Sequence, residues 1–143
     1  MRFIGTHQQT VDPNGRVALP AKFRRLLTPE DQEAMVLTSG REACLLLYPQ
    51  TEWDRVADTL DALPRNEARR QAIRAISDST KWLEIDSNGR VTIPRTFLDR
   101  IEVEREVTMV GSLHYIEIWP RDRYEEDKEK RRLESSDILD QIF

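Results

Sequence analysis

A chain of 143 residues, 38% hydrophobic and 34% charged, has room for one ordinary domain or for two small units that lean on each other, and no apolar run approaches the roughly 18 residues of a membrane span. The single cysteine, Cys44, excludes an internal disulfide, and no basic segment followed by an apolar run opens the chain, so no secretion signal and a cytoplasmic protein are expected. A net charge of −4 counts against nucleic acid only if charge is spread evenly, and it is not: residues 1–27 hold Arg2, Arg16, Lys22, Arg24 and Arg25 against Asp12 alone, while acidity gathers in Glu102, Glu104, Glu106 and the end of the chain.

Residues 2–11 alternate weakly and predict a strand that runs into Asp12-Pro13-Asn14-Gly15-Arg16. Asp first, Asn third and Gly fourth suit a type I turn whose left-handed glycine closes a three-residue hairpin loop through a bulge. Val17 to Leu19 form the return strand, and Pro20 opens a two-turn helix that places Leu19, Phe23, Leu26 and Leu27 on one face and Lys22 and Arg25 elsewhere. Thr28-Pro29 is expected to end it. Residues 35–38 and 43–48 read as apolar strands joined by Ser39-Gly40-Arg41-Glu42. From Gln50 the period turns helical, with Trp53, Val56, Ala57 and Leu60 on one side. Pro64 breaks that helix, and a second, over about 65–77, carries Arg65, Arg69, Arg70 and Arg74 on a charged face expected to be solvated.

The chain then repeats itself. Asp86-Ser87-Asn88-Gly89-Arg90 answers the first turn at an offset of 74, and Val91, Pro94 and Phe97 answer Val17, Pro20 and Phe23. Strands over 107–110 and 115–119 follow. Trp119-Pro120 with Tyr124 answers Tyr48-Pro49 with Trp53 at an offset of 71, so the first unit holds three more residues between turn and closing strand. The last twenty or so residues are charge-dense, and a helix fraying into a tail is expected. In both turns Asp12 faces Arg16, and Asp86 faces Arg90, across the neck of a hairpin. On turn chemistry alone the plainer reading is an ion pair that fixes a turn, with Asp12, Gly15, Asp86 and Gly89 as its fixed points.

An Asp-x-x-Gly-Arg turn, a short apolar strand and a proline, given twice with an aromatic-Pro pair closing each unit, resembles the MraZ family of bacterial transcription regulators, whose units are AbrB-like (SpoVT-AbrB) DNA-binding domains. The resemblance implies an α+β fold of two tandem swapped-hairpin units, each of short strands and a brief helix, related by an internal pseudo-two-fold. It divides the chain into a first unit at 5–52, a helical linker at 53–78, a second unit at 79–123 and a charged C-terminal tail at 124–143. A unit of some 45 residues has a marginal core alone, so mutual packing is required and the apolar faces around Trp53, Trp82 and Trp119 need cover.

The family further implies a cytoplasmic, nucleoid-associated regulator that binds double-stranded DNA at repeated boxes upstream of its own division and cell-wall gene cluster, as a homo-oligomer closed into a ring. The binding turns carry over onto Asn14 and Arg16 and onto Asn88 and Arg90, where guanidinium can fork onto guanine and the amides can reach base edges or backbone. Arg2, Lys22, Arg24, Arg25 and Arg95 are candidate phosphate contacts. Members often carry lysine where Asn14 stands, so ring avidity has to make up for a basic contact. No enzyme, cofactor, metal, membrane or small-molecule substrate is expected: His7 and His114 stand far apart without a ligand cluster, and no phosphate-cradling glycine loop or nucleophile elbow appears. Two other readings remain, a ring scaffold that does not touch DNA and an antitoxin-like repressor of the same fold.

Overall fold

The computed structural model describes residues 2–143. Eight strands are ordered β1 (Thr6–Thr10), β2 (Arg16–Ala18), β3 (Met35–Ser39), β4 (Leu45–Pro49), β5 (Thr80–Leu83), β6 (Arg90–Thr92), β7 (Glu106–Gly111) and β8 (Ile116–Pro120). Six form one antiparallel sheet in the order β1-β7-β8-β4-β3-β5, and β2 pairs with β6 in a separate ribbon. Each unit thus lends its first strand to the other: β1 pairs with β7 of the second unit, and β5 with β3 of the first. Reversing the strand order maps the sheet onto itself. The pseudo-two-fold axis passes through the Val17–Val91 pair of the ribbon and the Leu46–Glu117 pair of the sheet.

The swap explains how two units too small to close a core alone share one. A single cluster draws Val17, Leu19, Phe23, Met35 and Leu47 from the first unit and Val91, Ile93, Phe97, Met109 and Ile118 from the second. Phe3, bridged to Leu113 outside the strands, packs edge-on to Phe23 at 5.6 Å. The register also locates the three extra residues of the first unit. Met35 opposes Pro49 while Val107 opposes Pro120, so two of them precede β3 and one lies in the β3–β4 hairpin.

The helices depart from the expectation in three places. The helix after Pro20, α1 (Ala21–Arg24), makes one turn rather than two, with Pro20 as its cap, and Leu26 is therefore exposed instead of on the core face. Thr28-Pro29 starts a helix as well as stopping one. In α2 (Pro29–Glu33) the Thr28 hydroxyl accepts the Asp31 N–H at 3.1 Å while the Asp31 carboxylate accepts the Thr28 N–H at 3.2 Å, a reciprocal capping box. Asp31 is fully buried and also accepts the N–H and hydroxyl of Thr51, which pins α2 to the start of α3 (Gln50–Asp61).

The third departure is the C-terminus. After α6 (Arg121–Glu126), α7 (Lys128–Ile142) runs as continuous helix to Ile142 where a fraying tail was expected. Its start is anchored by the Arg131 guanidinium, 3.9 Å over the Tyr124 ring, with Tyr124 itself against Trp119. Beyond that, Leu133, Ile138, Leu139, Ile142 and Phe143 are exposed. Between β4 and β5, α3 is followed by α4 (Glu67–Asp78), and the α4 arginines pair locally: Arg69 with the Leu60 carbonyl and Asp61, Arg70 with Glu67. Of the tryptophans, Trp119 is buried, Trp53 packs edge-on to Tyr48, and Trp82 on the edge strand β5 stays 56% exposed. No helix among the described residues is long and apolar enough to cross a membrane.

Candidate nucleic-acid interface

The ribbon is built by period-two alternation. Val17 and Val91 face each other across the axis with their side chains in the core, which turns Arg16, Ala18, Arg90 and Thr92 to the opposite, outer face. Arg16 opposes Thr92 and Arg90 opposes Ala18, so the two arginines lie diagonally across one face, roughly 7–8 Å apart at the backbone.

Each turn is held by its aspartate. In the first, Asp12 Oδ1 accepts the N–H groups of Asn14 and Arg16, both at 2.9 Å, and Oδ2 accepts Arg16 Nε–H at 2.8 Å. In the second, Asp86 Oδ1 accepts the N–H of Asn88 at 2.8 Å and of Arg90 at 3.0 Å, but Arg90 Nε stands 3.4 Å from Oδ2 and makes no hydrogen bond. These donors, the backbone N–H of the arginine first, hold both carboxyl groups below the ordinary aspartate range. The ion pair and the exposed tip are therefore features of the same turn. Asn14 and Asn88 are exposed at the two tips, and Arg16 and Arg90 are half-buried behind them.

Glycine is required at both turns for two reasons. Gly15 and Gly89 have φ of +84° and +75°, and their carbonyls accept the N–H of Ile93 and Leu19, the residues that close the opposite ribbon strand. A Cβ on Gly15 would lie 2.5 Å from the Ile93 carbonyl oxygen. A Cβ on Gly89 would lie 2.7 to 2.9 Å from the guanidinium of Arg24, which belongs to the other unit.

The approach of Arg24 to Gly89 was outside the reach of sequence reasoning, which placed Arg24 in a basic stretch as a candidate phosphate contact. The other candidates divide. Lys22 and Arg25 are exposed, with no ion pair among the described residues, and Arg2 is exposed at the start of the chain. Arg95 is engaged elsewhere: it bonds Asp99 at 3.0 Å and the Val103 carbonyl at 2.6 Å, tying α5 (Arg95–Arg100) to the segment that follows it. The histidines make separate local contacts. His7 meets the Phe23 ring edge-on at 5.1 Å, and His114 Nδ1 lies 3.2 Å from the buried Glu52 without hydrogen-bond alignment. No group of three or more His, Cys, Asp or Glu among the described residues could hold a metal ion.

Comparison with known proteins agrees with the doubled architecture. The family model described as "MraZ protein, putative antitoxin-like" matches residues 2–75 and again 78–142, one match per half. The chain is similar to the transcriptional regulator MraZ of Heliobacterium modesticaldum (strain ATCC 51547 / Ice1), 32% identical over 142 residues that cover 99% of this chain and 96% of the relative. It is similar to that of Legionella pneumophila (strain Corby), 33% identical over 96% of this chain and 92% of the relative. The regulator of the same name from Saccharophagus degradans is 36% identical over 85% and 84%. With both halves matched and relatives of similar length aligned nearly end to end, the chain belongs to the MraZ family.

Proposed function

We propose that the chain is a sequence-specific DNA-binding transcriptional regulator acting on repeated boxes upstream of its own division and cell-wall gene cluster. The observation that carries the reading is the outer face of the β2–β6 ribbon, where one arginine from each unit stands on a common surface. A two-stranded ribbon fits the major groove, and arginine is the side chain best matched to guanine O6 and N7 there. A backbone separation of roughly 7–8 Å corresponds to about two base-pair steps of 3.4 Å, so Arg16 and Arg90 address positions about two base pairs apart in one box. Asn14 and Asn88 stand at the tips for backbone or base-edge contacts. The similar proteins bear the name transcriptional regulator.

In this reading residues 5–52 and 79–123 are the DNA-binding units, a nucleoid-associated cytoplasmic protein is expected, and protomers assemble into a closed ring whose repeated sites supply avidity. The exposed edge strand at Trp82 and the exposed apolar residues of α7 are surfaces such an assembly could cover. The same α7 residues favour a second reading, an antitoxin-like repressor whose C-terminal helix docks a partner.

The test is gel-shift binding to the DNA upstream of its own gene at two salt concentrations, with Arg16→Ala and Arg90→Ala alongside. Removing a bidentate hydrogen-bonded pair to a base costs roughly 1–3 kcal/mol per site and relaxes box preference, whereas melting should move little, because most donors to each aspartate are backbone N–H groups that both variants retain. Variants that bind the upstream DNA like wild type while melting several degrees lower would make the arginines structural and favour the scaffold.

A further inference from the structure

Because Leu19 N–H bonds the Gly89 carbonyl at 3.0 Å and Ile93 N–H bonds that of Gly15 at 2.8 Å, each turn is flanked by the helix of the other unit: α1 stands beside the second turn and α5 beside the first. The two flanks differ in chemistry. At the offset of 74, Lys22 is answered by Thr96, Arg24 by Leu98 and Arg25 by Asp99. Leu98 is fully buried, and the basic residue that α5 does carry near its start, Arg95, is held by Asp99 and by main-chain carbonyls. Arg100 lies over the Phe97 ring and donates to Ser39.

On the α1 side the cations are available. Arg24 is fixed by its Nε–H donating to the Leu19 carbonyl at 3.1 Å and by the flat approach of its guanidinium to Gly89, and no carboxylate pairs with it among the described residues. It borders a surface cleft between α1 and the second turn, lined also by Arg25, Gln32 and Ser87. The carboxylate lining that cleft, Asp86, already accepts two backbone N–H groups, and the Arg90 beside it is the less tightly paired of the two turn arginines. With Lys22, the α1 flank and second turn hold four cations against one carboxylate. The α5 flank and first turn hold Arg16, Arg95 and Arg100 against Asp12 and Asp99. The segment after each helix is acidic in both halves. A groove lined by Glu102, Glu104, Glu106 and Asp122 against Arg105 and Arg121 follows α5, joined to the first turn by the Val11 N–H bond to the Arg105 carbonyl. In the other half α2, with Glu30 and Glu33, follows α1, joined to the second turn by the Ile85 N–H bond to the Gln32 carbonyl, so the difference between the flanks lies in their cations.

We propose that the phosphate grip is one-sided: the flank formed by α1 and the second turn takes the phosphodiester backbone through Lys22, Arg24 and Arg25, and its pseudo-symmetric counterpart at α5 and the first turn does not. The inference rests on the DNA-binding reading. It gives each protomer a polarity on DNA although the fold is nearly symmetric, and it divides the labour between a ribbon that reads bases and a single flank that holds the backbone.

The experiment is fluorescence-anisotropy titration of a labelled duplex from upstream of its own gene, and of an unrelated duplex of equal length, over a salt series. The variants are Lys22→Ala/Arg24→Ala/Arg25→Ala, the milder Lys22→Ala/Arg25→Ala at two exposed positions, Arg95→Ala, and the graft Thr96→Lys/Asp99→Arg, each checked for folding by circular dichroism. The triple variant is expected to weaken binding to both duplexes by about tenfold or more and to flatten the log–log salt slope by about two to three units, one for each phosphate no longer neutralised. The milder pair should lose up to two units, Arg95→Ala should stay within about twofold of wild type, and the graft should steepen the slope. Wild type that binds while the α1 variants keep its slope, or while Arg95→Ala loses as much as they do, overturns the one-sided grip alone. Wild type that binds neither duplex at low salt overturns the DNA reading and this inference with it.

Discussion

Along the offset of 74, Val17 answers Val91, Leu19 answers Ile93, Phe23 answers Phe97 and Leu27 answers Ile101, and all eight side chains are buried. At Lys22, Arg24 and Arg25, interleaved with these, the second unit places threonine, leucine and aspartate. The constraint that both halves share is the common core of the swapped fold, in which these four pairs fill matched spaces on each side of the axis. Positions that face outward carry no such demand, so a nearly symmetric fold presents two unequal flanks. Arg24 and Leu98 mark the divergence most sharply: the same place in the repeat is a half-buried cation on one side and a fully buried aliphatic on the other.

Exchanging those two residues gives the largest effect that could break the comparison. Leu98→Arg removes a fully buried side chain and forces a charge toward the core, and should cost about 3–5 kcal/mol or prevent folding. Arg24→Leu gives up one hydrogen bond to a carbonyl at a partly solvated site, and should cost about 1 kcal/mol or less. Urea unfolding of the two variants measures both. Equal losses would mean that the halves are as alike in packing as they are in topology.

A smaller effect sharpens the contrast at the glycines. Alanine at either position must hold a left-handed conformation, worth about 1–2 kcal/mol of strain. At Gly15 the new Cβ also meets the Ile93 carbonyl oxygen, a backbone atom of a residue tied by its N–H to the Gly15 carbonyl, whereas at Gly89 it meets a guanidinium that can move at the loss of its one hydrogen bond to the Leu19 carbonyl. Gly15→Ala should therefore be the more destabilising by thermal melting, by about 1 kcal/mol or more. Adding Arg24→Ala to Gly89→Ala should not deepen the loss of the single variant, because the clash it relieves offsets the hydrogen bond it removes.

The doubled turn, the helix start at each proline and the apolar strands were legible because their signals are local or periodic. Asp12, Gly15 and Arg16 announce their geometry within five residues, and the offset that recovers Asp86, Gly89 and Arg90 needs only the chain laid against itself. What escaped depends on topology. Arg24 reaches Gly89 only because the strands are swapped, and nothing near either residue names the other. The unequal partners at 22, 24 and 25 were readable from the same offset, but without the swap they pointed to no particular turn. Thr28-Pro29-Glu30-Asp31 did carry its capping signal, yet proline marks a helix start as readily as a helix end, and α2 was read as a stop. Leu26 kept the helical spacing of a core residue, and the helix ended before it could be one.

The smallest expected effect lies in the turn aspartates and tests which donors define the motif. Both folded-state carboxyl groups are held below the ordinary value of about 3.9, so each turn's contribution to stability is fully present above that value and is lost as pH falls through the lower, folded one. Between about pH 5 and 8 neither turn should change, and acid should begin to release them only below about pH 4. For Asp12 the foremost cause is the backbone N–H of Arg16, ahead of its guanidinium. Truncating the side chain in Arg16→Ala leaves that N–H, and the N–H of Asn14, in place. The Asp12 midpoint, followed by NMR, should then rise yet stay below about 3.9, while Asp86, whose arginine stands farther off at 3.4 Å, should shift less in Arg90→Ala. Such a result would mean that the backbone shapes the turn and that the guanidinium can leave its aspartate for DNA without the turn coming apart. A midpoint at or above the ordinary value in Arg16→Ala would assign the turn's geometry to the ion pair, and would make the departure of Arg16 toward a base as costly as losing the turn itself.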